Sequence, residues 1–190
     1  HSLVTTGRDF VPREAVKQED IDDVLETILL TPFRERLPAD ATEEERLRSE
    51  AKTRAIVKCL LETLARAIFG HVEDKVWLML LGLRNSGKGV LIEMLKNSFG
   101  KQYVMGMESG NLLPKDHSGD CAKLNSFLVH LRWARFVYPN EAPNGTCDGN
   151  AIKKLASGGD TFQARQNYKD EAEIAPTFTF ALACNEQPKV

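Results

Sequence analysis

Aromatic residues are scarce in this chain, 7% of 190, and nowhere do apolar residues run for more than a handful of positions. A bilayer-spanning helix needs about 20 in succession, and no signal-peptide pattern is present, so the reading excludes a membrane partner. Charge of one sign is also lacking. A net charge of −2 gives no global pull toward nucleic acid, so any such contact has to come from a local patch. Cysteine is sparse and scattered: Cys59, Cys121, Cys147 and Cys184 form no CxxC pair and stand beside no clustered histidines. That excludes a zinc site and a secreted disulfide scaffold, and leads to the expectation of a reducing intracellular compartment. The chain opens at His1 without a methionine and stops at Val190 just after a strand-like run, which is expected of a piece of a longer protein.

What is present is concentrated in KVWLMLLGLRNSGKGVLIEMLKNSFG, from Lys75. An apolar run meets a loop of form GxxxxGK, Gly82 to Lys88, which passes directly into an amphipathic segment. Strand, loop and helix in this order suit phosphate binding: glycines let backbone N–H groups converge on an anion, the helix offers its positive end, and the lysine adds a charge. The candidate cradle is Gly82, Asn85, Ser86, Gly87, Lys88, Gly89 and Val90. GxxxxGK arises by chance in very roughly one chain of this length in twenty, and the flanking strand and helix are what separate it from an inert turn. The position after the lysine, usually a magnesium-binding Ser or Thr, is Gly89.

Before this unit the chain reads as helical. Ile21, Val24, Leu25, Ile28 and Leu29 share a helix face, and Thr31-Pro32 and Leu37-Pro38 are expected to break it. Thr42 with Glu45 three residues on is a capping box that opens a second helix. Its stripe is Val57, Leu60, Leu61, Leu64 and Ile68, and Gly70 is the stop signal. From Lys75 strands and helices alternate. Strand-like runs fall at Val76–Leu81, Tyr103–Met105, Arg135–Tyr138 and Thr177–Cys184; helical ones follow the loop and recur near Cys121–His130 and Asn150–Ala156. The expected fold is α/β, a mostly parallel sheet covered by helices. Residues 1–72 would be a helical lead-in and residues 73–190 a phosphate-loop ATPase core.

A nucleotide hydrolase also needs a carboxylate at the end of a neighbouring strand. Glu141 follows the strand Arg135–Tyr138, with Asn140 where a second acid often sits; a surface loop glutamate is the competing reading. Asn185 ends the strand Thr177–Cys184 and can hydrogen-bond a phosphate oxygen and a water, although Asn near Pro188 also suits a plain turn.

Taken in order, these blocks resemble the superfamily 3 helicases, and most of all the primase-helicases of large DNA viruses and phage satellites. The resemblance rests on LASGGDTFQARQNYKDEAEIAPTFTFALACNEQP, on NEAP around Glu141 and on LARAIFG before the first strand, and covers roughly residues 45–190. It implies an AAA+-like P-loop ATPase using ATP and Mg2+, with Lys88 on the β- and γ-phosphates. Glu141 would polarise the attacking water and stand near the metal, and Asn185 would sense the γ-phosphate. It further implies a homo-hexameric ring on single-stranded or forked DNA, with a hairpin after GGD that carries Arg165, Tyr168 and Lys169 to one strand. The family completes each site with a neighbour's arginine encoded beyond the sensor asparagine, so the chain alone is expected to be a weak ATPase. Gly89 and Asn140 depart from the family pattern at metal-binding positions. They support an alternative, a nucleotide-binding or assembly module that does not hydrolyse.

Overall fold

Pro32, read from the sequence as a helix stop, is accommodated inside a helical run. The computed structural model describes residues 9, 11–114, 126–141, 145–165 and 172–189. Helix α1 (Gln18–Val24) passes into a π-helical run, Leu25–Leu30, and then into a last turn, α2 (Thr31–Phe33). Across the wide turn the Thr31 N–H donates to the Glu26 carbonyl, five residues back. The extra residue per turn lets the chain pass a proline that has no N–H to give, so the break falls at Arg34, where the backbone becomes extended. The same turn rotates the apolar face. Leu29 is buried and Leu25, Ile28, Leu30 and Phe33 pack beside it, whereas Val24, assigned to that face from its spacing, is exposed.

Helix α3 (Glu43–Phe69) starts and stops where its caps say. Glu45 N–H donates to Thr42 Oγ1 (3.3 Å) and Thr42 N–H to Glu45 Oε2 (2.8 Å), the reciprocal pair of a capping box. Gly70 closes the helix at φ +77°, and His71 N–H bonds back to the Arg66 carbonyl at 3.0 Å. Thr53, Val57, Leu60, Leu64 and Ala67 form the buried stripe; Leu61 keeps 39% of its surface exposed, because it stands one position off the line these five define. The Thr53 hydroxyl is kept satisfied by the Ser49 carbonyl at 3.0 Å.

Four parallel strands form the sheet in the order β1 (Leu78–Leu81), β6 (Thr179–Cys184), β3 (Phe136–Pro139), β2 (Val104–Met107). Helices α4 (Lys88–Phe99), α5 (Ser126–Leu131) and α6 (Gly149–Leu155) complete the core. Period-two alternation divides the side chains between two apolar clusters. Leu80, Val104, Phe136, Tyr138 and Ala181 meet Leu29, α3 and α4 on one face. Met107, Val137, Phe180, Leu182 and Cys184 meet α5 and α6 on the other. Buried on both faces, β3 and β6 read as near-continuous apolar runs, as parallel strands do. The helical lead-in therefore covers a face of the sheet.

A separate antiparallel pair, β4 (Phe162–Ala164) with β5 (Ala172–Ile174), follows the GGD segment. The GGD has a packing reason. Gly158, at φ +64°, lies against the Val72 carbonyl so closely that a Cβ there would overlap it, and Asp160 pairs with Lys75 at 3.4 Å. This joins the segment before β4 to the segment that enters β1.

Candidate nucleotide site at the strand ends

Register decides what meets at the carboxyl end of the sheet. Leu81 of β1 lies opposite Cys184 of β6, and Gly82 N–H donates to the Cys184 carbonyl at 3.2 Å. The ladder thus continues into the loop and sets its first glycine beside Asn185. On the other side of β6, Phe136 pairs with Thr179 and Val137 with Phe180, and Glu141 follows the carboxyl end of β3 two residues after Pro139. Gly82, Asn185 and Glu141 consequently share one end of a parallel sheet, where open α/β sheets bind ligands.

The loop's shape follows from its small residues. A Cβ on Gly82 would lie 2.8 Å from Ser86 Oγ, and Gly87, at φ +87°, is the N-cap of α4 with Pro32 packed against it. Asn85 adopts φ 63°, the left-handed region that Asn tolerates better than most side chains. Nothing stands within 4 Å of where a Gly89 Cβ would project, so that glycine is no steric requirement. The first turn of α4, opened by Lys88, Gly89 and Val90, presents N–H groups without intrahelical partners, as every helix start does. Their positive ends point out of the helix.

Lys88 is folded over the loop. Its Nζ donates among the Gly82 carbonyl (2.5 Å), the Leu83 carbonyl (2.9 Å), Ser86 Oγ (3.2 Å) and Asn185 Oδ1 (3.2 Å). An ammonium has three protons for these four acceptors, so a phosphate oxygen competes with carbonyls that share a donor. Arg84, Asn85, Val90 and Asn185 line a cavity of about 410 Å³ together with Ser86 to Gly89. Every residue assigned to the cradle except Gly82 lines it, and so does Asn185; Glu141 does not. Burial pushes the thiol of Cys184, directly beneath Asn185, above its usual pKa, and the charge of Lys88 only partly opposes this.

Asn140, at the tip of β3, donates its N–H to the Met107 carbonyl at 2.9 Å, and its side chain lies against Gly106 of β2. A Cβ on Gly106 would displace it. No group of three or more His, Cys, Asp or Glu that could hold a metal occurs among the described residues. A magnesium ion accompanying a nucleotide needs only one or two carboxylates besides the phosphates, so Glu141 is compatible with one. Arg165 directly follows β4, while Tyr168 and Lys169 lie outside the described residues.

Sequence reasoning missed a second wall. Ile28, Pro32, Phe33 and Ile56 of the lead-in line a groove of about 320 Å³ together with residues 79–81 of β1 and the loop. The periodicity of α3 identifies its buried stripe, but Ile56 stands just off that stripe, and the π-helical turn that brings up Pro32 and Phe33 has no sequence signature of its own.

No family model matches the chain. It is 32% identical over 142 residues to "Putative helicase V13" of Sputnik virophage, a match covering 70% of this chain and 17% of that protein. To "Putative helicase L207/L206" of Acanthamoeba polyphaga mimivirus it is 30% identical over 132 residues, covering 69% of this chain and 13% of that one. The chain thus spans less than a fifth of the length of these curated relatives. Its fold is shared with two apo structures of the C-terminal region of NrS-1, at TM-scores of 0.50 and 0.51 and 18% identity, covering 86% of this chain and 32% and 34% of those. No helix among the described residues is long and apolar enough to cross a membrane. The chain is a homologue of viral proteins named as helicases, in keeping with the order of its motifs.

Proposed function

We propose that this chain is the ATPase core of a superfamily 3 replicative DNA helicase, in which ATP hydrolysis drives single-stranded DNA through a homo-hexameric ring. The observation that carries the reading is the contact of Lys88 Nζ with Asn185 Oδ1 at 3.2 Å, across two paired strand ends. It joins the cation that would hold the β- and γ-phosphates to the amide that would report on the γ-phosphate. Gly82, Asn85, Ser86, Gly87, Gly89 and Val90 supply the cradle and the start of α4. Glu141, just beyond the carboxyl end of β3, would orient and polarise the attacking water, the task of a strand-end carboxylate in phosphoryl transfer. Mg2+, when bound with the nucleotide, would neutralise developing phosphate charge; Glu141 and Ser86 are the side chains that could reach it. In this reading residues 73–190 are the ATPase core and residues 1–72 the helical lead-in. The β4–β5 pair has the antiparallel form expected of a DNA-gripping hairpin, with Arg165, Tyr168 and Lys169 meeting phosphate and base through charge and stacking.

Calorimetric titration with ATP, with and without Mg2+, tests this. ATP binding that tightens with Mg2+ is expected, falling about 10- to 100-fold in Lys88→Ala, the magnitude of a lost charge-assisted hydrogen bond. Binding that ignores the metal, with no hydrolysis, would favour a second reading: a nucleotide-binding or assembly module. Gly89 and Asn140 are the specific observations on its side, since neither offers the hydroxyl or carboxylate that helps to hold magnesium.

A further inference from the structure

The phosphate loop carries a second cation besides Lys88. Arg84 lines the same cavity of about 410 Å³, together with Lys88 and Asn185. Its place is set by a turn: Ser86 N–H donates to the Leu83 carbonyl at 3.3 Å, with Arg84 and Asn85 between them. Asn85 takes the left-handed conformation, φ 63°, that lets such a turn close. The Leu83 carbonyl also accepts from Lys88 Nζ at 2.9 Å, so the lysine braces the turn that presents the arginine. Arg84 is exposed and forms no ion pair among the described residues. No acid occurs in the sequence between Lys75 and Glu93, and neither Glu141 nor Glu186 lines the cavity. Two cations thus border a space whose lining, among the described residues, holds no carboxylate.

We infer that Arg84 is a ligand of the terminal phosphate, supplied by the chain to its own site, and that it selects nucleoside triphosphates over diphosphates. The inference rests on the phosphate-loop reading above and adds a residue that the GxxxxGK pattern does not specify. A guanidinium presents a planar fork of N–H donors that matches two phosphate oxygens, and it keeps its charge at any working pH. The phosphates nearest the helix already have the N–H groups of its first turn and Lys88. Arg84 comes from the turn ahead of the helix, and its cavity also holds Asn185, the amide that meets the γ-phosphate in the proposed reaction. The charge it adds therefore falls on the terminal phosphate. It also offsets a local deficit. Gly89 and Asn140 offer magnesium neither hydroxyl nor carboxylate, and a guanidinium at the same oxygens restores part of the positive charge. Arg84 and Lys88 line one cavity of one chain, so the selectivity does not wait for assembly with a neighbour.

The test is calorimetric titration of the whole chain with ATP and with ADP, in Mg2+, for the wild type, Arg84→Ala and Lys88→Ala. Arg84→Ala is expected to lower the ratio of ATP to ADP affinity about tenfold, the low end for a hydrogen bond to a charged group, because the side chain is exposed. ADP itself should bind within about threefold of wild type. Arg84→Lys should fall in between, since a lysine keeps the charge and loses the fork. Lys88→Ala should weaken both nucleotides, because the lysine also serves the β-phosphate. Equal losses of ATP and ADP in Arg84→Ala would put the guanidinium on an inner phosphate and overturn the inference. No loss of either, beside a clear loss of both in Lys88→Ala, would make Arg84 a solvated surface residue and leave the phosphate loop standing. If Lys88→Ala also leaves both nucleotides unchanged, the loop reading itself fails and the role of Arg84 falls with it.

Discussion

Strands β1 and β6 are neighbours, run parallel and each deliver a site residue at the same end, yet they are held in opposite ways. In β6 Phe180 and Leu182 are fully buried, and the strand has a partner on either side. In β1 only Leu80 is buried, Met79 and Leu81 are exposed, and β6 is its one partner among the described residues. Asn185 therefore stands on a strand fixed by packing. The phosphate loop hangs from a strand with one partner among the described residues and takes its shape from local bonds: Gly82 N–H to Cys184, and Lys88 to two loop carbonyls. A loop that has to open its lysine to phosphate is better served by the second kind of support, whose bonds can be exchanged one at a time.

The contrast can be broken by paired truncations. Phe180→Ala removes a fully buried ring from the cluster shared with α5 and α6, and is expected to cost about 3–5 kcal/mol. Met79→Ala, at a position that already meets solvent, should cost less than about 1 kcal/mol. Urea unfolding followed by tryptophan fluorescence reports both, since Trp77 lies 6.0 Å from Phe180 between ring centroids. Equal losses would mean that β1 is as firmly packed as β6, and the distinction between the strands would go.

How much of this was legible in the sequence depends on how local the cause is. Helix α3 was readable from cap to cap, because Thr42, Glu45 and Gly70 act through their own neighbours. The four sheet strands were readable as apolar runs, though β1 begins at Leu78 rather than Val76, since nothing pairs with its first two expected residues among the described ones. Strand order was not readable: that β6 lies between β1 and β3, so that Asn185 rather than Glu141 adjoins the loop, is fixed by long-range pairing. Thr31-Pro32, expected to break the first helix, lies instead inside the helical run that follows the π-helical turn Leu25–Leu30, because Pro32 is a breaker only where the preceding turn has α geometry. The candidate site divides in the same way. Lys88 and its loop announce themselves by spacing, whereas the apolar groove is assembled from segments far apart in sequence.

Strand β1 has one further support that can be removed, at its entry. Gly158 holds a left-handed φ of +64° and leaves no room for a Cβ against the Val72 carbonyl, in the segment leading to β1. Gly158→Ala must therefore strain its own backbone and push that segment away, at an expected cost of about 2 kcal/mol. Gly159→Ala makes a sharp control: Gly159 also has a positive φ, +100°, but nothing lies within 4 Å of its Cβ position. If packing against Val72 supports β1, Gly158→Ala should lose more stability than its neighbour and also weaken ATP binding. Equal losses would assign the whole effect to backbone strain.

The smallest expected change in stability belongs to Asn185→Ala, and it asks whether the tip of a rigid strand is itself structural. Asn185 is exposed, and its side-chain oxygen is one of four acceptors around Lys88 Nζ, so the ammonium keeps three partners for its three protons when the amide is removed. Stability should change by no more than about 0.5 kcal/mol, as for a surface position. Nucleotide affinity should hold within about threefold, because the loop and its lysine are untouched. Hydrolysis should nevertheless fall by at least about tenfold if the amide senses the γ-phosphate, since an interaction made mainly in the transition state lowers turnover without lowering binding. Unchanged hydrolysis beside unchanged binding would leave Asn185 a turn residue near Pro188. The firm support of β6 would then serve the core alone, and the proposed link between the two strand ends would have no part in turnover.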